Sequence, residues 1–151
     1  MTPTGLRASP SLPTLRYPRA PVTAIGSHCV LEIYDSPAAL LDDPEAIERA
    51  LRSAAEAARA TLLQTSHHRF APQGVTALAL LAESHISVHT WPERGYAACD
   101  VFTCGSETLP EAACMRLVEA LECQRYSMRR FPRGEEPAAR AALLRVGSGG
   151  G

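Results

Sequence analysis

The sequence contains no lysine and no asparagine, and all 15 of its basic residues are arginine. Enzymes that use pyridoxal phosphate hold it as a Schiff base on a lysine, so this chain cannot anchor that cofactor in that way. Ser–Lys dyads and lysine Schiff-base chemistry are excluded for the same reason. Without asparagine, N-glycosylation and Cys-His-Asn catalytic triads are excluded as well.

Several other patterns are missing from the sequence. The five cysteines form no CxxC pair, which argues against a zinc site of that spacing and favours free thiols in a reducing compartment. No apolar run approaches the roughly 18 residues of a membrane-spanning helix, and the N-terminus lacks the apolar core of a signal peptide. The net charge of −1 is not typical of a polyanion-binding protein. We therefore expect a cytoplasmic protein that engages neither membranes nor nucleic acid.

The 151 residues predict a single domain between two flexible ends. Residues 1–22 are rich in proline and contain no acidic residue, which is typical of a mobile arm. The chain ends in a glycine-rich stretch, and we assign residues 134–151 to a C-terminal tail. The predicted domain is therefore 23–133.

Strand and helix patterns alternate within this domain. Asp43 and Pro44 mark a helix start, and apolar residues keep helical spacing from there to about residue 61. A second helix opens at Pro110. The predicted strands are 25–34, 62–70, 75–83, 85–91, 96–104 and 125–131. This order predicts an α+β fold of the β-α-β-β-α-β kind, a two-layer sandwich of a mostly antiparallel sheet with two helices on one face.

The segment HISVH carries two histidines at strand spacing. Alternation places His85, Ser87 and His89 on one face of a strand. Taken alone, this pattern most often marks a solvated strand face, and no carboxylate or further histidine is spaced to complete a metal site. Ser84 lacks the glycines of a GxSxG nucleophile elbow, and Cys104 at a strand end reads as a structural thiol.

The longer segment LAESHISVHTWPERGYAACDVFTCG, with HRFAPQGV upstream, resembles the bacterial and archaeal S-adenosylmethionine decarboxylases. The resemblance runs from about Gly26 to Arg130. It implies a proenzyme in which the Ser84 hydroxyl attacks the carbonyl of Glu83. Cleavage then gives a β chain, 1–83, and an α chain, 84–151, that begins with a pyruvoyl group made from Ser84. Such a self-derived cofactor replaces pyridoxal phosphate and accounts for the missing lysine.

The resemblance also implies roles for individual side chains. The pyruvoyl group forms a Schiff base with the substrate amine and accepts the electrons released when CO2 leaves. Cys104 corresponds to the proton donor, a task that a thiol can perform as a general acid. His89 corresponds to the base of self-processing and Thr76 to a processing hydroxyl. His68 and His85 receive no role.

The spacing of Ser84 and His89 limits how one chain could form the site. Five residues of strand span ~16 Å, so the two cannot meet along one extended strand. Either the chain turns sharply between them, or His89 acts on Ser84 of another chain. The resemblance implies a two-fold homodimer with sites across the interface, and a two-fold axis gives two equal sites. We predict that one chain supplies Ser84 and Cys104. The other chain would supply Phe70, Thr76, His89, Trp91 and Glu93.

The same resemblance predicts how S-adenosylmethionine is recognised. Phe70 and Trp91 offer aromatic faces for the adenine ring and the sulfonium cation. Glu93 can accept hydrogen bonds from the ribose hydroxyls. The predicted products are decarboxylated S-adenosylmethionine, used for spermidine synthesis, and CO2.

Three alternatives stay open from the sequence. A pyruvoyl enzyme of this fold could decarboxylate another amino acid, such as ornithine or arginine. An α+β domain could bind RNA through the arginines of the last strand, but it lacks the aromatic signature of an RNA-binding sheet, and a solvated edge strand is the simpler interpretation. An inactive partner subunit is disfavoured by the intact set of Ser84, His89 and Cys104.

Overall fold

The computed structural model describes residues 24–135, which form one six-stranded sheet and three helices. The predicted arm at 1–22 and nearly all of the predicted C-terminal tail lie outside the described residues. The strands are β1 (Gly26–Tyr34), β2 (Leu62–Arg69), β3 (Val75–Leu81), β4 (Ser84–Trp91), β5 (Tyr96–Cys104) and β6 (Arg125–Arg133). The helices are α1 (Ala38–Leu41), α2 (Pro44–Ala57) and α3 (Pro110–Ala120), and a 3-10 turn covers Pro92–Arg94.

The sheet has the strand order β2-β3-β4-β5-β1-β6, and every neighbouring pair is antiparallel. Strands β2 to β5 therefore form a meander, and β1 lies between β5 and β6. This arrangement confirms the predicted α+β class and the antiparallel sheet. The arginine-rich β6 is an edge strand, as the sequence predicted.

Helix α2 begins and ends at recognisable capping signals. The Asp43 side chain accepts hydrogen bonds from the backbone N–H groups of Glu45 (3.0 Å) and Ala46 (3.1 Å), and Pro44 occupies the first helical position. At the other end Arg59 takes a left-handed φ of 56°, and the Ala60 N–H donates to the Ala55 carbonyl. This is a Schellman motif, and it ends the helix at Ala57 rather than at the predicted position of about 61.

Two further details differ from the sequence predictions. The one-turn helix α1 was not predicted, because four residues are too few for a helical period to show. The strand predicted to reach residue 83 ends at Leu81, and Ala82 and Glu83 form a tight turn to β4. Ser84 is therefore the first residue of a strand rather than part of a connection between two separate hairpins.

The three helices cover one face of the sheet. Ile86, Val88 and Val101 point toward the helices and are fully buried in a single apolar core. Burial alternates along β4, so His85, Ser87 and His89 share the other face, as predicted. Leu78 and Leu80 of β3 lie on that face too and are 41% and 45% exposed. Within residues 24–135 no helix is both long and apolar enough to cross a bilayer.

Candidate active site

The sheet register separates the predicted site residues into two groups at opposite ends of β4. Ser84 pairs with Leu81 on one side and Thr103 on the other, whereas His89 pairs with Thr76 and Ala98. We call the first group the cleavage end: Glu83, Ser84 and Cys104. We call the second group the pocket end: Phe70, Thr76, His89, Trp91 and Glu93.

The backbone at the cleavage end is unusual at the predicted scissile bond. Ser84 has a φ of 148°, a region that residues with a side chain rarely occupy. The Glu83 carbonyl accepts a hydrogen bond of 2.9 Å from the backbone N–H of Cys104. The carbonyl directly upstream of Ser84 is thus held by an adjacent strand and polarised by an N–H donor.

The Glu83 side chain anchors the upstream side of the same bond. Its carboxylate accepts hydrogen bonds from the Thr61 backbone N–H (2.9 Å) and from Thr61 Oγ1 (3.1 Å). The Thr61 backbone N–H is the main cause of a lowered pKa for the Glu83 carboxyl, which keeps the group ionised near neutral pH. Both the backbone carbonyl and the side chain of Glu83 are therefore fixed by specific contacts.

The Ser84 hydroxyl has a partner that sequence reasoning did not assign. Ser84 Oγ lies 3.1 Å from Nδ1 of His85. In a regular strand, consecutive side chains point to opposite faces, so alternation alone separates these two groups. The positive φ of Ser84 interrupts that alternation, and only the adjacency of Ser and His in the sequence hinted at the contact.

Cys104 differs in accessibility from the other cysteines of the core. It is half-buried and lies on the face away from the helices, at the end of β5. Cys29, Cys99 and Cys114 are buried among apolar side chains. Burial raises the pKa of the Cys99 thiol well above its ordinary value.

The pocket end gathers a histidine, two exposed rings and a carboxylate. His89 Nδ1 lies 2.9 Å from Thr76 Oγ1 on the neighbouring strand. The Trp91 ring packs on Tyr96 at a centroid distance of 5.2 Å, yet Trp91 is 39% exposed and Phe70 is 48% exposed. Neither ring is a core anchor, so both present apolar surface outward.

Glu93 stands in the 3-10 turn that directly follows Trp91. Its Oε2 accepts a hydrogen bond of 3.1 Å from the side-chain amide of Gln73, which comes from the loop between β2 and β3. The loop that carries Phe70 and the turn that carries Glu93 are therefore adjacent.

The structure assembles each end but does not unite the two ends within one chain. Five strand residues separate Ser84 from His89, which corresponds to ~16 Å. Within residues 24–135 no group of three or more histidine, cysteine, aspartate or glutamate side chains is placed to hold a metal ion.

Comparison with known proteins places the chain in a family. A family model described as S-adenosylmethionine decarboxylase matches residues 27–134. The chain belongs to this family. The resemblance read from the central motif is thereby confirmed.

Relatives from bacteria and archaea match most of the chain. The S-adenosylmethionine decarboxylase proenzyme of Synechococcus sp. strain WH7803 is 55% identical over 122 residues, which cover 81% of this chain and 94% of the relative. The proenzyme of Methanococcus maripaludis is 44% identical over 110 residues, covering 73% of this chain and 90% of the relative.

A solved structure of the family shares the fold. The crystal structure of the adenosylmethionine decarboxylase from Aquifex aeolicus VF5 superposes with a TM-score of 0.68 at 35% sequence identity. The match covers 75% of this chain and 93% of that chain. The six-stranded α+β fold described above is therefore the fold of an S-adenosylmethionine decarboxylase.

Proposed function

We propose that the protein is a self-processing, pyruvoyl-dependent S-adenosylmethionine decarboxylase that releases CO2 and decarboxylated S-adenosylmethionine. One observation carries the proposal beyond family membership. Ser84 combines a strained backbone, a hydroxyl with a hydrogen-bond partner and an upstream carbonyl that accepts the Cys104 N–H. These are the features that a serine needs to attack its own peptide bond.

Self-cleavage follows from this arrangement. Ser84 Oγ attacks the Glu83 carbonyl carbon, and the Cys104 N–H stabilises the negative charge that develops on the carbonyl oxygen. A non-glycine residue in the φ region of Ser84 carries about 1–3 kcal/mol of strain, which the loss of the peptide bond releases. Cleavage yields the β chain, 1–83, and the α chain, 84–151.

The residues around Ser84 fit a pyruvoyl group at the start of the α chain. The position is half-buried, its backbone is fixed by β3 and β5, and Ser84 itself would supply the carbon skeleton of the group, with water supplying the ketone oxygen as ammonia leaves. When formed, a pyruvoyl group supplies a carbonyl that serves as an electron sink for the pair released with CO2. Cys104 belongs to β5, the strand that pairs with β4 here, and we assign to its thiol the return of a proton to the substrate carbon.

After the ester forms, self-processing needs a base near residue 84. The His89 of the same chain lies at the opposite end of β4 and cannot be that base. We assign His89 of another chain to removal of the Cα proton of residue 84 after the ester forms. In the tautomer whose Nδ1–H donates to Thr76 Oγ1, the Nε2 of His89 is the proton acceptor. Thr76 then orients this histidine, in addition to the role of processing hydroxyl predicted from the resemblance.

A two-fold homodimer would bring the two ends together. The face of the sheet that the helices leave open carries Thr76, His89 and Trp91 of the pocket end and Cys104 of the cleavage end. Leu78 and Leu80 add exposed apolar surface to the same face. A second copy packed on this face would set its pocket end against the cleavage end of the first copy. Each dimer would then contain two complete sites.

The pocket end suits the nucleoside part of the substrate. The exposed faces of Phe70 and Trp91 are available for the adenine ring and for the sulfonium cation. Glu93, held by Gln73, would accept hydrogen bonds from the ribose hydroxyls. The biosynthetic role in spermidine formation and the cytoplasmic location remain predictions from the sequence.

Intact-mass spectrometry tests the proposed function directly. Two fragments divided between Glu83 and Ser84 are expected. The mass of the α fragment should be lower than that of the same fragment beginning with an intact serine. Incubation with S-adenosylmethionine and borohydride should add the decarboxylated substrate covalently to the α fragment. Addition of ornithine or arginine instead would show a different substrate, and a chain of 16.2 kDa that stays uncut would contradict self-processing.

Mixed dimers test the shared site. Ser84→Ala cannot form the cofactor, and His89→Ala cannot complete processing. If the site is shared, mixing the two uncut proteins should restore cleavage of the His89→Ala chain, because its Ser84 then meets an intact His89 of the other chain. A mass tag on one variant identifies which chain is cut. Absence of cleavage in mixtures that demonstrably exchange subunits would contradict the shared site.

A further inference from the structure

His85 has no task in the proposed function, although it contacts the reacting hydroxyl. Its Nδ1 lies 3.1 Å from Ser84 Oγ, and both groups belong to one chain. We propose that His85 is the general base that takes the Ser84 hydroxyl proton in the first step of self-cleavage. This inference rests on the proposed function and adds a second histidine to it.

The geometry supplies the parts of an acyl shift within a single chain. A neutral imidazole with its proton on Nε2 leaves a lone pair on Nδ1, which can accept the Ser84 proton. The same serine is adjacent to the Glu83 carbonyl, whose oxygen is 2.9 Å from the Cys104 nitrogen. Base, nucleophile and carbonyl donor are therefore in place before any second chain contributes.

Ring packing helps to hold the His85 imidazole beside Ser84. The imidazole meets the Phe102 ring edge to face, with centroids 6.0 Å apart and planes at 77°. Phe102 is held in turn by His28, at a centroid distance of 5.6 Å, and by the Arg133 guanidinium 5.2 Å from the ring centre. The ring contact therefore positions the imidazole with Nδ1 toward Ser84 Oγ.

The proposed step conserves protons and needs no further reactant. The Ser84 hydroxyl proton moves to His85 Nδ1 as Oγ bonds to the Glu83 carbonyl carbon. The carbon–nitrogen bond to Ser84 then breaks, and His85 returns the proton to the departing nitrogen. The product is an ester between Glu83 and the Ser84 side chain with a free amine on Ser84, and His85 is neutral again.

The two histidines then act at different stages and from different chains. Loss of His85 should stop processing before the ester forms, and loss of His89 should stop it afterwards. Hydroxylamine separates these cases, because it cleaves an ester at neutral pH and leaves an amide intact. If His85 had only a structural role, its loss would not select the uncut amide over the ester as the species that accumulates.

The experiment makes each chain by cell-free synthesis and follows its cleavage over time. Each sample is divided, and one half is treated with hydroxylamine while the other stays in buffer. His85→Phe keeps an aromatic ring against Phe102 but has no nitrogen, and His85→Gln removes the base with a polar side chain. Both should cut at least about 100-fold more slowly than the wild type, and the uncut chain should resist hydroxylamine. His89→Ala should accumulate a chain that hydroxylamine divides between residues 83 and 84. His67→Gln, a histidine on the exposed strand β2, should process as the wild type does.

Several results would overturn the inference. One is cleavage of the His85 variants at the wild-type rate, and another is an uncut His85 chain that hydroxylamine divides as readily as His89→Ala. If His85→Phe melts well below the folded, uncut Ser84→Ala protein, the deciding test becomes His85→Ala with added imidazole. If imidazole restores cleavage, the role of His85 as the general base is supported. If imidazole does not restore cleavage, that role is refuted. An uncut wild type, or cleavage of Ser84→Ala, would instead refute the proposed function itself.

Discussion

The strained backbone at Ser84 predicts an unusual order of stability between two uncut variants. Ser84→Ala and Ser84→Gly both lack the nucleophile, so both should remain single chains. Alanine keeps the strain of a φ of 148°, whereas glycine adopts this region without steric cost. Ser84→Gly should therefore be the more stable protein, although glycine normally weakens a strand.

The magnitude follows from two opposing terms. Relief of the backbone strain contributes about 1–3 kcal/mol. The greater freedom of glycine in the unfolded chain removes about 0.4–1 kcal/mol. The net expectation is a free energy of unfolding about 1 kcal/mol higher for Ser84→Gly than for Ser84→Ala. With a urea dependence of about 2 kcal/mol per molar, the unfolding midpoint should rise by ~0.5 M.

Urea unfolding, followed by circular dichroism at one protein concentration, measures the difference, because any dimer makes stability depend on concentration. Ser87 provides the matched pair, since it lies three residues further along β4 and is not among the residues with positive φ. The free energy of unfolding of Ser87→Gly should be lower than that of Ser87→Ala by about 0.5–1 kcal/mol. If Ser84→Gly is no more stable than Ser84→Ala while the Ser87 pair behaves as expected, the strain argument fails.

Three further predictions concern the thiol, the pocket and the core. Cys104→Ala keeps the backbone N–H that holds the Glu83 carbonyl, so it should still be cut, but its kcat should fall by about 10²–10⁴ in a CO2-release assay; wild-type turnover would remove the thiol from the mechanism. Trp91→Leu should leave the yield of cut chain unchanged and raise the KM for S-adenosylmethionine; an unchanged KM would contradict the stacking role. Ile86→Ala, in the uncut Ser84→Ala background, should lower the free energy of unfolding by about 2–5 kcal/mol in urea, because Ile86 is fully buried. A loss below about 1 kcal/mol would show that this part of the core is not close-packed.

Much of the fold was predictable because local signals and tertiary structure agree. Asp43 and Pro44 mark the start of α2 in the sequence, and the structure confirms the capping hydrogen bonds. The alternation of HISVH correctly assigned His85 and His89 to one face. The end of α2 was missed because Arg59, a residue with no special preference for a left-handed φ, provides the C-terminal cap where glycine is the usual signal.

The sequence predicted a list of site residues but not their geometry. Strand spacing indicated only that Ser84 and His89 could not meet along one extended strand, and the structure shows that β4 runs unbroken from Ser84 to Trp91. Strand spacing could not show that a tight turn at Ala82 and Glu83 distorts Ser84, because backbone strain has no signature in residue type here. The contact between Ser84 and His85 depends on that distortion and was missed for the same reason.

The position proposed for the cleaved bond, Glu83–Ser84, explains how the chain could be cut without losing its fold. The bond lies in the turn between β3 and β4, so the β chain keeps β1 to β3 and the α chain keeps β4 to β6. Strand β1 lies between β5 and β6 of the other fragment, β3 pairs with β4 across the cut, and α2 packs on α3. Each fragment alone would expose apolar surface that the other now buries, and the burial of apolar surface is the main favourable term in association. The two fragments should therefore co-elute in native buffer without any disulfide between them, and separate only when denaturant unfolds both.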